Sequence, residues 1–292
     1  MKNNIKVGFI GQGFIGGNMA KDFEKRGYNI VRYDLDKFSH NKELIKTCDY
    51  VFIAVPTPTT PKGFNCDIIF NVINLVGEGK TAIIKSTIKV GTTDELQKIH
   101  TDKFIMHSPE FLTEKNAEND TIYPERNVIG YTEKSKEKAD EVLEILPKAR
   151  FNFKIKAKEA ELVKYMGNNL LMAKVLFANI FYNIAEENGA DYNKIANVVG
   201  HDSRIGLSHL KIKHQSGIDG GVGRGAGGHC FIKDMATLVE MASECDMKKK
   251  ENKLGLEILK KYVEFNNYLL IISEKDLDLL KGVYNIDEEN EK

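Results

Sequence analysis

Residues 5–16 read IKVGFIGQGFIG, and this stretch decides the fold. Its first six residues form an apolar run that predicts a β-strand, and glycines follow immediately at positions 11, 13 and 16. The pattern after them predicts a helix that stops at Gly27, and residues 29–33 predict a second strand with Asp34 at its end. Strand, glycine turn, helix, strand and acid in this order predict a dinucleotide-binding βαβ unit.

The glycine turn and the acid together predict a site for NAD. Gly11, Gly13 and Gly16 let backbone N–H groups and the positive end of a helix dipole approach a pyrophosphate. Asp34 stands about 20 residues after the glycines, where an acid accepts the ribose 2′- and 3′-hydroxyls. The same carboxylate repels a 2′-phosphate, which favours NAD over NADP. The alternative is a glycine-turn βαβ unit that binds no nucleotide.

Strands and helices continue to alternate up to residue 155. Strands are predicted at 50–55, 81–85, 103–107, 127–131 and 151–155, and helices at 41–47, 67–77, 93–100 and 135–146. This alternation predicts an α/β fold, with a Rossmann-like, doubly wound parallel sheet over residues 1–155.

Polar segments follow three of the predicted strands. They are 56–59 (PTPT), 86–87 (ST) and 108–114 (SPEFLTE). Ligands of such sheets bind beyond the carboxyl ends of the strands, so three polar segments at one edge indicate a site. Each segment taken alone is also typical of an ordinary loop or helix cap.

The second half of the chain predicts a mostly helical domain over residues 156–280, followed by an acidic tail at 281–292. It is built on one long central helix, predicted at 157–187. The apolar face of this helix is wider than one small domain covers, which predicts a homodimer through the helix. Lys164 and Asn168 share one face by their spacing of four, although such a pair is by default two solvated side chains.

Residues 225–234 read GAGGHCFIKD and place a cysteine where a helix is predicted to begin, at Phe231. The positive end of a helix dipole favours a thiolate, and Asp234 lies one turn after Cys230. This pattern indicates a nucleophile with a neighbouring carboxylate. The alternative is a buried structural cysteine after a glycine-rich turn.

Composition excludes several classes of protein. The 42 Lys and Arg balance the 42 Asp and Glu without a basic block, so no nucleic-acid partner is expected. No apolar run approaches the ~20 residues of a membrane span, and no signal peptide is visible. The four cysteines lack CxxC spacing and predict reduced thiols in the cytoplasm, and the scattered histidines predict no metal site.

The motifs together resemble the UDP-glucose/GDP-mannose dehydrogenase family of nucleotide-sugar 6-dehydrogenases. The segments that carry the resemblance are GxGxxG at 11–16, VPTPT at 55–59, ST at 86–87, SPEFLxE at 108–114, KxxxN at 164–168, DxRIG at 202–206 and GGxCFxKD at 227–234. The resemblance implies NAD-dependent four-electron oxidation of the C6 primary alcohol of a nucleotide sugar, first of all UDP-glucose. It also implies that a thiohemiacetal and then a thioester form on Cys230.

The resemblance further implies a role for each matching residue. Catalytic roles fall to Cys230, Lys164, Asn168, Asp234, Glu114 and Thr87. Cofactor binding falls to Gly11, Gly13, Phe14, Ile15, Gly16, Asp34, Val55, Pro56, Thr57, Thr87 and Glu114. Substrate binding falls to Glu110, Phe111, Leu112, Lys164, Asn168, Arg204 and Gly227.

The sequence departs from the family pattern in a few places. The stretch after Asp234 is too short for another sheet with helices, so a short form without the C-terminal UDP-binding domain is expected. Lys89 and Ile232 stand where the family usually has proline. One alternative is a β-hydroxyacid dehydrogenase of the 3-hydroxyisobutyrate type, which forms one NADH per substrate rather than two. The other is a non-catalytic NAD-binding relative.

Overall fold

The structure is a computed structural model that describes residues 4–218 and 220–286. The chain divides into two compact units. The first unit consists of Met1–Pro58 and Asn65–Lys164, and the second of Thr59–Phe64 and Tyr165–Lys292.

The strands and helices follow in chain order. The strands are β1 (Lys6–Ile10), β2 (Asn29–Tyr33), β3 (Tyr50–Ile53), β4 (Thr59–Thr60), β5 (Gly63–Phe64), β6 (Thr81–Ile84), β7 (Phe104–His107), β8 (Arg126–Tyr131), β9 (Phe151–Lys156), β10 (His214–Gln215) and β11 (Val222–Gly223). The α-helices are α1 (Phe14–Lys25), α2 (Asp67–Val72), α3 (Thr92–Ile99), α4 (Ala117–Ile122), α5 (Ala139–Ile145), α6 (Ala157–Glu187), α7 (Tyr192–Gly200), α8 (Gly228–Ser243), α9 (Lys250–Ile272) and α10 (Leu277–Tyr284).

The first unit is built on one sheet with the strand order β2-β1-β3-β6-β7-β8-β9. The chain leaves β1 toward β2 on one side and returns to β3 on the other, so the winding reverses between β1 and β3. This reversal confirms the doubly wound, Rossmann-like prediction, and it opens the crevice in which such sheets bind ligands.

The prediction of a fully parallel sheet is wrong for its last two strands. β7 and β8 are antiparallel, with Met106 opposite Tyr131, and β9 runs parallel to β8. Between β7 and β8 the chain forms a 3₁₀ turn at Glu114–Asn116 and the short α4, which packs against α1. Because the connection lacks a crossover to the opposite end of the sheet, the chain re-enters in the reverse direction.

Apolar side chains fill both faces of the sheet. On one face Phe23 of α1 packs edge-on against Phe9, with ring centroids 5.3 Å apart, and Phe52 stacks on Phe9 at 5.5 Å. On the other face a second cluster includes Ile53 and Leu96. Each strand therefore presents buried side chains on both sides, as a sheet covered by helices requires.

Several predicted boundaries shift. Residues Ser39–Thr47 form a 3₁₀ helix rather than an α-helix, because Ile45 is their one buried side chain and no apolar stripe is available to pack. Helices α4 and α10 had no counterpart in the predicted elements.

Helix α6 has the predicted bounds and continues from the first unit, which ends at Lys164, into the second. It stops before Gly189, whose φ of +66° ends a helix without steric cost. In the second unit α6, α8 and α9 share a core that includes Leu176, Met235 and Leu269.

Helix α10 covers α8 and the end of α9. Leu280 joins Ile232 and Leu270 in a further apolar cluster. Residues 281–284, assigned above to the acidic tail, form the last turn of this helix, since its apolar side chains have this cluster to pack against. Residues 287–292 lie outside the described residues.

Candidate active site

The glycine turn after β1 shows why each glycine is needed. A Cβ on Gly11 would lie 2.2 Å from the Ala54 carbonyl oxygen, and one on Gly16 would lie 2.0 Å from the Gly11 carbonyl oxygen. Gly11 also has a φ of +89°, which side chains rarely adopt. A Cβ on Gly13 would meet nothing within 4 Å. Packing therefore requires Gly11 and Gly16, while Gly13 leaves open space in front of α1.

The N-terminus of α1 and the carboxylate of Asp34 lie beside the same turn. The helix begins at Phe14, and its N-cap residue Gly13 supplies no side-chain cap. Asp34 Oδ2 accepts from the Gln12 N–H at 2.6 Å, and Oδ1 accepts from the Leu35 N–H at 2.7 Å. Both oxygens are thereby held in place and retain lone pairs for hydroxyl donors. Open space, helix N–H groups and a fixed carboxylate fit the pyrophosphate and ribose of NAD.

The next cofactor candidates follow the turn and strand β3. Phe14 is 55% exposed, Ile15 is half-buried, and Val55 and Pro56 come at the end of β3. Thr57 is buried and donates to the Thr87 carbonyl oxygen at 2.8 Å.

The three predicted polar segments do meet at one edge of the sheet, because β3, β6 and β7 are parallel neighbours. Ser86 Oγ accepts from the Val55 N–H at 3.0 Å and donates to the Val55 carbonyl oxygen at 2.7 Å. Lys85 Nζ donates to Ser108 Oγ at 3.2 Å. Hydrogen bonds thus link each of these loops to the next.

Glu110 forms an ion pair and several hydrogen bonds at this edge of the sheet. Its Oε2 lies 3.1 Å from Lys85 Nζ, and its Oε1 accepts from the N–H groups of Phe111 (2.9 Å) and Leu112 (3.2 Å). Burial by itself raises the pKa of this carboxyl, but the Lys85 ammonium and the two N–H donors lower it below its usual value. Lys164 Nζ donates to the Glu110 carbonyl oxygen at 2.7 Å.

Phe111, Leu112 and Glu114, the later predicted residues of the SPEFLTE segment, are half-buried. Arg126 stacks on the Phe111 ring at 4.0 Å, and Lys164 Nζ lies 5.8 Å from the ring centroid. Glu114 begins a 3₁₀ turn and is half-buried. Sequence reasoning missed Lys85 and Arg126, because nothing in their local pattern separates them from the solvated lysines and arginines.

In the second unit, α8 begins at Gly228 and not at Phe231 as predicted, because Gly228 has a φ of +82° that only glycine adopts without strain, and the chain turns into the helix there. Cys230 is therefore the third residue of the helix, in its first turn, and its side chain is exposed. The alternative of a buried structural cysteine is wrong for this residue. The four cysteines, all within the described residues, form no disulfide with one another.

Asp234 lies one turn after Cys230 and is buried, with 1% of its surface exposed. Its Oδ2 accepts from Asn168 Nδ2 at 2.6 Å, and its Oδ1 lies 3.7 Å from Lys233 Nζ. The structure thus brings the predicted residues Asn168 and Asp234 together within the second unit.

Arg204 and Gly227 complete the predicted residues. Arg204 is exposed and forms a two-point ion pair with Asp202, with Nη2 to Oδ2 at 2.6 Å and Nε to Oδ1 at 3.0 Å. Gly227 precedes α8, and a Cβ there would lie 1.9 Å from Asp276 Oδ2. Sequence reasoning did not single out Asp276, which lies far along the chain.

Within the described ranges, no helix is both long and apolar enough to span a bilayer. The same residues include no group of three or more His, Cys, Asp and Glu side chains placed to bind a metal ion.

Comparison with known proteins gives two matches to one family. Residues 37–147 match the NAD binding domain of the UDP-glucose/GDP-mannose dehydrogenase family, and residues 158–268 match its central domain. The first match begins just after Asp34 and does not include the glycine turn.

Individual relatives agree with this result. UDP-glucose 6-dehydrogenase YwqF of Bacillus subtilis is 32% identical over 260 residues, which cover 84% of this chain and 54% of YwqF. UDP-glucose 6-dehydrogenase TuaD of the same organism is 36% identical over 213 residues, covering 68% of this chain and 43% of TuaD. The chain therefore spans about half the length of these curated relatives.

A solved structure shares the fold along nearly the whole chain. A UDP-glucose dehydrogenase from the hyperthermophilic archaeon Pyrobaculum islandicum superposes with a TM-score of 0.76 at 25% sequence identity, over 95% of this chain and 70% of that one. The chain belongs to the UDP-glucose/GDP-mannose dehydrogenase family and contains the family's NAD binding and central domains.

Proposed function

We propose that this chain is an NAD-dependent nucleotide-sugar dehydrogenase that oxidises the C6 primary alcohol of UDP-glucose to the uronic acid. The observation that carries the proposal is the exposed Cys230 in the first turn of α8, one turn before a buried Asp234 that is bound to Asn168. Two relatives that match most of the chain, YwqF and TuaD, are named UDP-glucose 6-dehydrogenases.

When bound, NAD would supply the hydride acceptor for both oxidation steps. The open space at Gly13 and the N–H groups of α1 receive its pyrophosphate, and Asp34 accepts the ribose hydroxyls. Val55, Pro56, Thr57, Thr87 and Glu114, together with Phe14 and Ile15, form the remaining cofactor contacts in this proposal.

Cys230 explains how one site performs two oxidations. The first removes a hydride from C6 and a proton from its hydroxyl to give an aldehyde, which has no favourable hydride to release. Addition of the Cys230 thiolate gives a thiohemiacetal, and removal of the second hydride gives a thioester. Water then cleaves the C–S bond, releasing the carboxylate and the thiol. One alcohol, one water and two NAD⁺ therefore yield one carboxylate, two NADH and three protons.

The other side chains of the site stabilise charge and hold the sugar. The first turn of α8 favours the thiolate form of Cys230. In this proposal Lys164 and Asn168 stabilise the oxygen anion that forms at C6, each contributing roughly 3 kcal/mol, and Asp234 assists proton transfer. The substrate contacts come from Glu110, Phe111, Leu112, Arg204 and Gly227.

The proposal includes a cytoplasmic homodimer. For the compartment the support is the four cysteines without disulfides, and for the dimer it is the exposed apolar side chains of α6, among them Leu170 and Phe177.

The deciding experiment is NADH stoichiometry with limiting substrate. Two NADH per UDP-glucose support the proposal, and parallel assays with UDP-N-acetyl sugars and GDP-mannose establish the substrate range. One NADH, formed from a β-hydroxyacid only, would identify a 3-hydroxyisobutyrate-type enzyme. NAD binding without turnover of any of these would identify a non-catalytic relative.

Replacing the nucleophile tests the mechanism. In Cys230→Ser we expect steady-state acid production to fall on the order of 10⁶-fold, the scale for loss of a nucleophile, while some first-step NADH remains. Quantifying aldehyde and uronic acid by mass spectrometry separates the two steps. Cys245→Ser, which removes another exposed thiol, is the matched control. Normal acid production by Cys230→Ser would exclude the covalent mechanism.

A further inference from the structure

Residues 273–276 (SEKD), which follow α9, contact the backbone of the loop that leads to Cys230; we call them the anchor segment. The loop, residues 223–228, is glycine-rich and ends in the first residue of α8. Ser273 Oγ accepts from the Arg224 N–H at 3.0 Å. This is the first of several contacts between the two segments.

Lys275 binds the middle of the loop. The side chain is fully buried, and its Nζ donates to the Gly225 carbonyl oxygen at 3.0 Å and to the Gly223 carbonyl oxygen at 3.4 Å. Burial lowers the pKa of Lys275 to about 8, although the neighbouring Asp276 carboxylate opposes this. Burying an ammonium is costly unless hydrogen bonds compensate for the lost water, and here the two main-chain oxygens of the loop provide them.

Asp276 binds the end of the loop. Its Oδ2 accepts from the Gly228 N–H at 2.8 Å and from Ser216 Oγ at 2.5 Å. Gly228 opens α8, so this carboxylate satisfies an N–H group that the helix leaves without an internal partner. Gly227 has no room for a Cβ beside this oxygen.

The anchor segment has strained backbone at two of its residues. Glu274 has a φ of +51° and Asp276 a φ of +57°, in the left-handed region that residues other than glycine seldom occupy. Such strain persists when the surrounding contacts determine it, and it occurs preferentially at functional sites. Here the two helix ends hold the backbone, since the Lys275 N–H donates to the Leu270 carbonyl oxygen of α9 at 2.9 Å and the Leu280 N–H of α10 donates to the Asp276 carbonyl oxygen at 3.1 Å.

We propose that Lys275 and Asp276 are positioning residues for Cys230, because they fix residues 223–228 and the first turn of α8 from which the thiol projects. Neither residue reacts with the substrate. The inference rests on the proposed function only in taking Cys230 as the reacting thiol.

The test compares the reactivity of this thiol with turnover, in a Cys245→Ser background that removes the other exposed cysteine. Alkylation of Cys230 by iodoacetamide, followed by peptide mass spectrometry, needs no substrate. We expect Lys275→Met and Asp276→Ala to slow alkylation at least about threefold, since the helix terminus loses its fixed geometry. We expect kcat with UDP-glucose to fall at least about tenfold, with little change in KM.

Asp276→Asn is the conservative variant, since an amide oxygen still accepts from Gly228 and Ser216. It should recover most of the alkylation rate and of kcat. Lys253→Met, at the far end of α9, and Glu274→Gln, beside Lys275, alter exposed side chains and serve as controls. Circular dichroism verifies folding, and if Lys275→Met does not fold, the two Asp276 variants decide the matter.

Three results would overturn the inference. The first is an alkylation rate and a kcat within twofold of the controls in both Lys275→Met and Asp276→Ala. The second is an equal loss in Asp276→Ala and Asp276→Asn, and the third is an effect confined to KM. Absence of any sugar oxidation in the unmutated protein would contradict the proposed function instead, and the alkylation rates would still test the positioning.

Discussion

Lys85 is a buried charged residue at the ligand-binding edge of the sheet in the first unit. Its ammonium pairs with Glu110 and donates to Ser108, and 6% of the residue is exposed. Glu110 in turn offers its carbonyl oxygen to Lys164. One buried ion pair therefore fixes the main chain that holds a proposed catalytic lysine. Breaking such a pair on one side leaves a charge without compensation, which costs more than the pair contributes.

Lys85→Met should lower the free energy of unfolding at pH 7 by about 3–5 kcal/mol. The lowered pKa of Glu110 in the wild type stabilises the fold above the unfolded pKa of about 4.3, and this contribution is lost as pH falls through the folded value. Without Lys85, burial raises that pKa. The difference between mutant and wild type should therefore shrink as the pH is lowered, as urea denaturation between pH 4 and 8 can measure.

The double variant Lys85→Met/Glu110→Gln provides the control. It removes the uncompensated charge while an amide oxygen still accepts from the Phe111 and Leu112 N–H groups, so most of the lost stability should return. A double variant as unstable as Lys85→Met would show that packing, not charge, gives Lys85 its importance.

The role of a single residue could be predicted from the sequence where neighbouring residues in the chain determine that role. Gly11 and Gly16 could be recognised because one turn imposes their requirement, and Asp34 because it ends an adjacent strand. Lys85 and Asp276 could not. Their partners are separated from them along the chain, and an isolated Lys or Asp in a sequence is usually solvated.

At the scale of elements, α6 could be predicted with its bounds because a long apolar pattern ends at Asn188-Gly189. The reversal of β8 could not, since nothing in the strand itself specifies which end of the sheet it enters. The hydrogen bonds between α6 and the N-terminus of α3 could not be predicted either. Glu161 accepts from the Gly91 N–H (2.6 Å), the Thr93 N–H (2.9 Å) and Thr93 Oγ1 (2.6 Å).

This link predicts a large effect of a small change. Glu161→Gln keeps the shape but turns an amide NH₂ toward one of the donors at the N-terminus of α3. A buried donor without an acceptor costs about 1–3 kcal/mol, and loss of the negative charge at a helix N-terminus adds up to about 1. We expect urea denaturation to show that the free energy of unfolding falls by about 2–3 kcal/mol in Glu161→Gln, and by less than about 0.5 kcal/mol in Glu186→Gln, which alters an exposed side chain. Equal effects would show that Glu161 is not a cap of α3.

For the whole molecule, the exposed apolar side chains of α6 are the feature still to be explained. Phe177 is 63% exposed and Leu170 is 59% exposed, on a helix whose other side is buried in the second unit. A contiguous apolar face of this kind usually marks an interface. The spacing of apolar residues along α6 predicted this apolar face, whereas no sequence motif specifies which surface covers it.

Charge placed on this face should abolish the proposed dimer. We expect Leu170→Glu/Phe177→Glu to elute as a monomer in size-exclusion chromatography with light scattering, where the wild type elutes as a dimer. Replacement of Glu186 and Glu187, exposed on the same helix, by glutamine should leave the dimer intact. A monomeric wild type at micromolar concentration would contradict the proposed assembly.

The hairpin Thr59–Phe64 belongs to the second unit although its sequence lies inside the first. Thr59 Oγ1 bonds with Thr237 Oγ1 at 3.0 Å, and the Phe64 N–H donates to Glu240 at 3.1 Å. If the gene were divided once, at the boundary inside α6, the N-terminal fragment would carry the hairpin Thr59–Phe64 without its partners. The C-terminal fragment would carry Thr237 and Glu240 without the hairpin that they bind. Attempts to dissect this protein into autonomous halves therefore call for co-expression and fragment complementation.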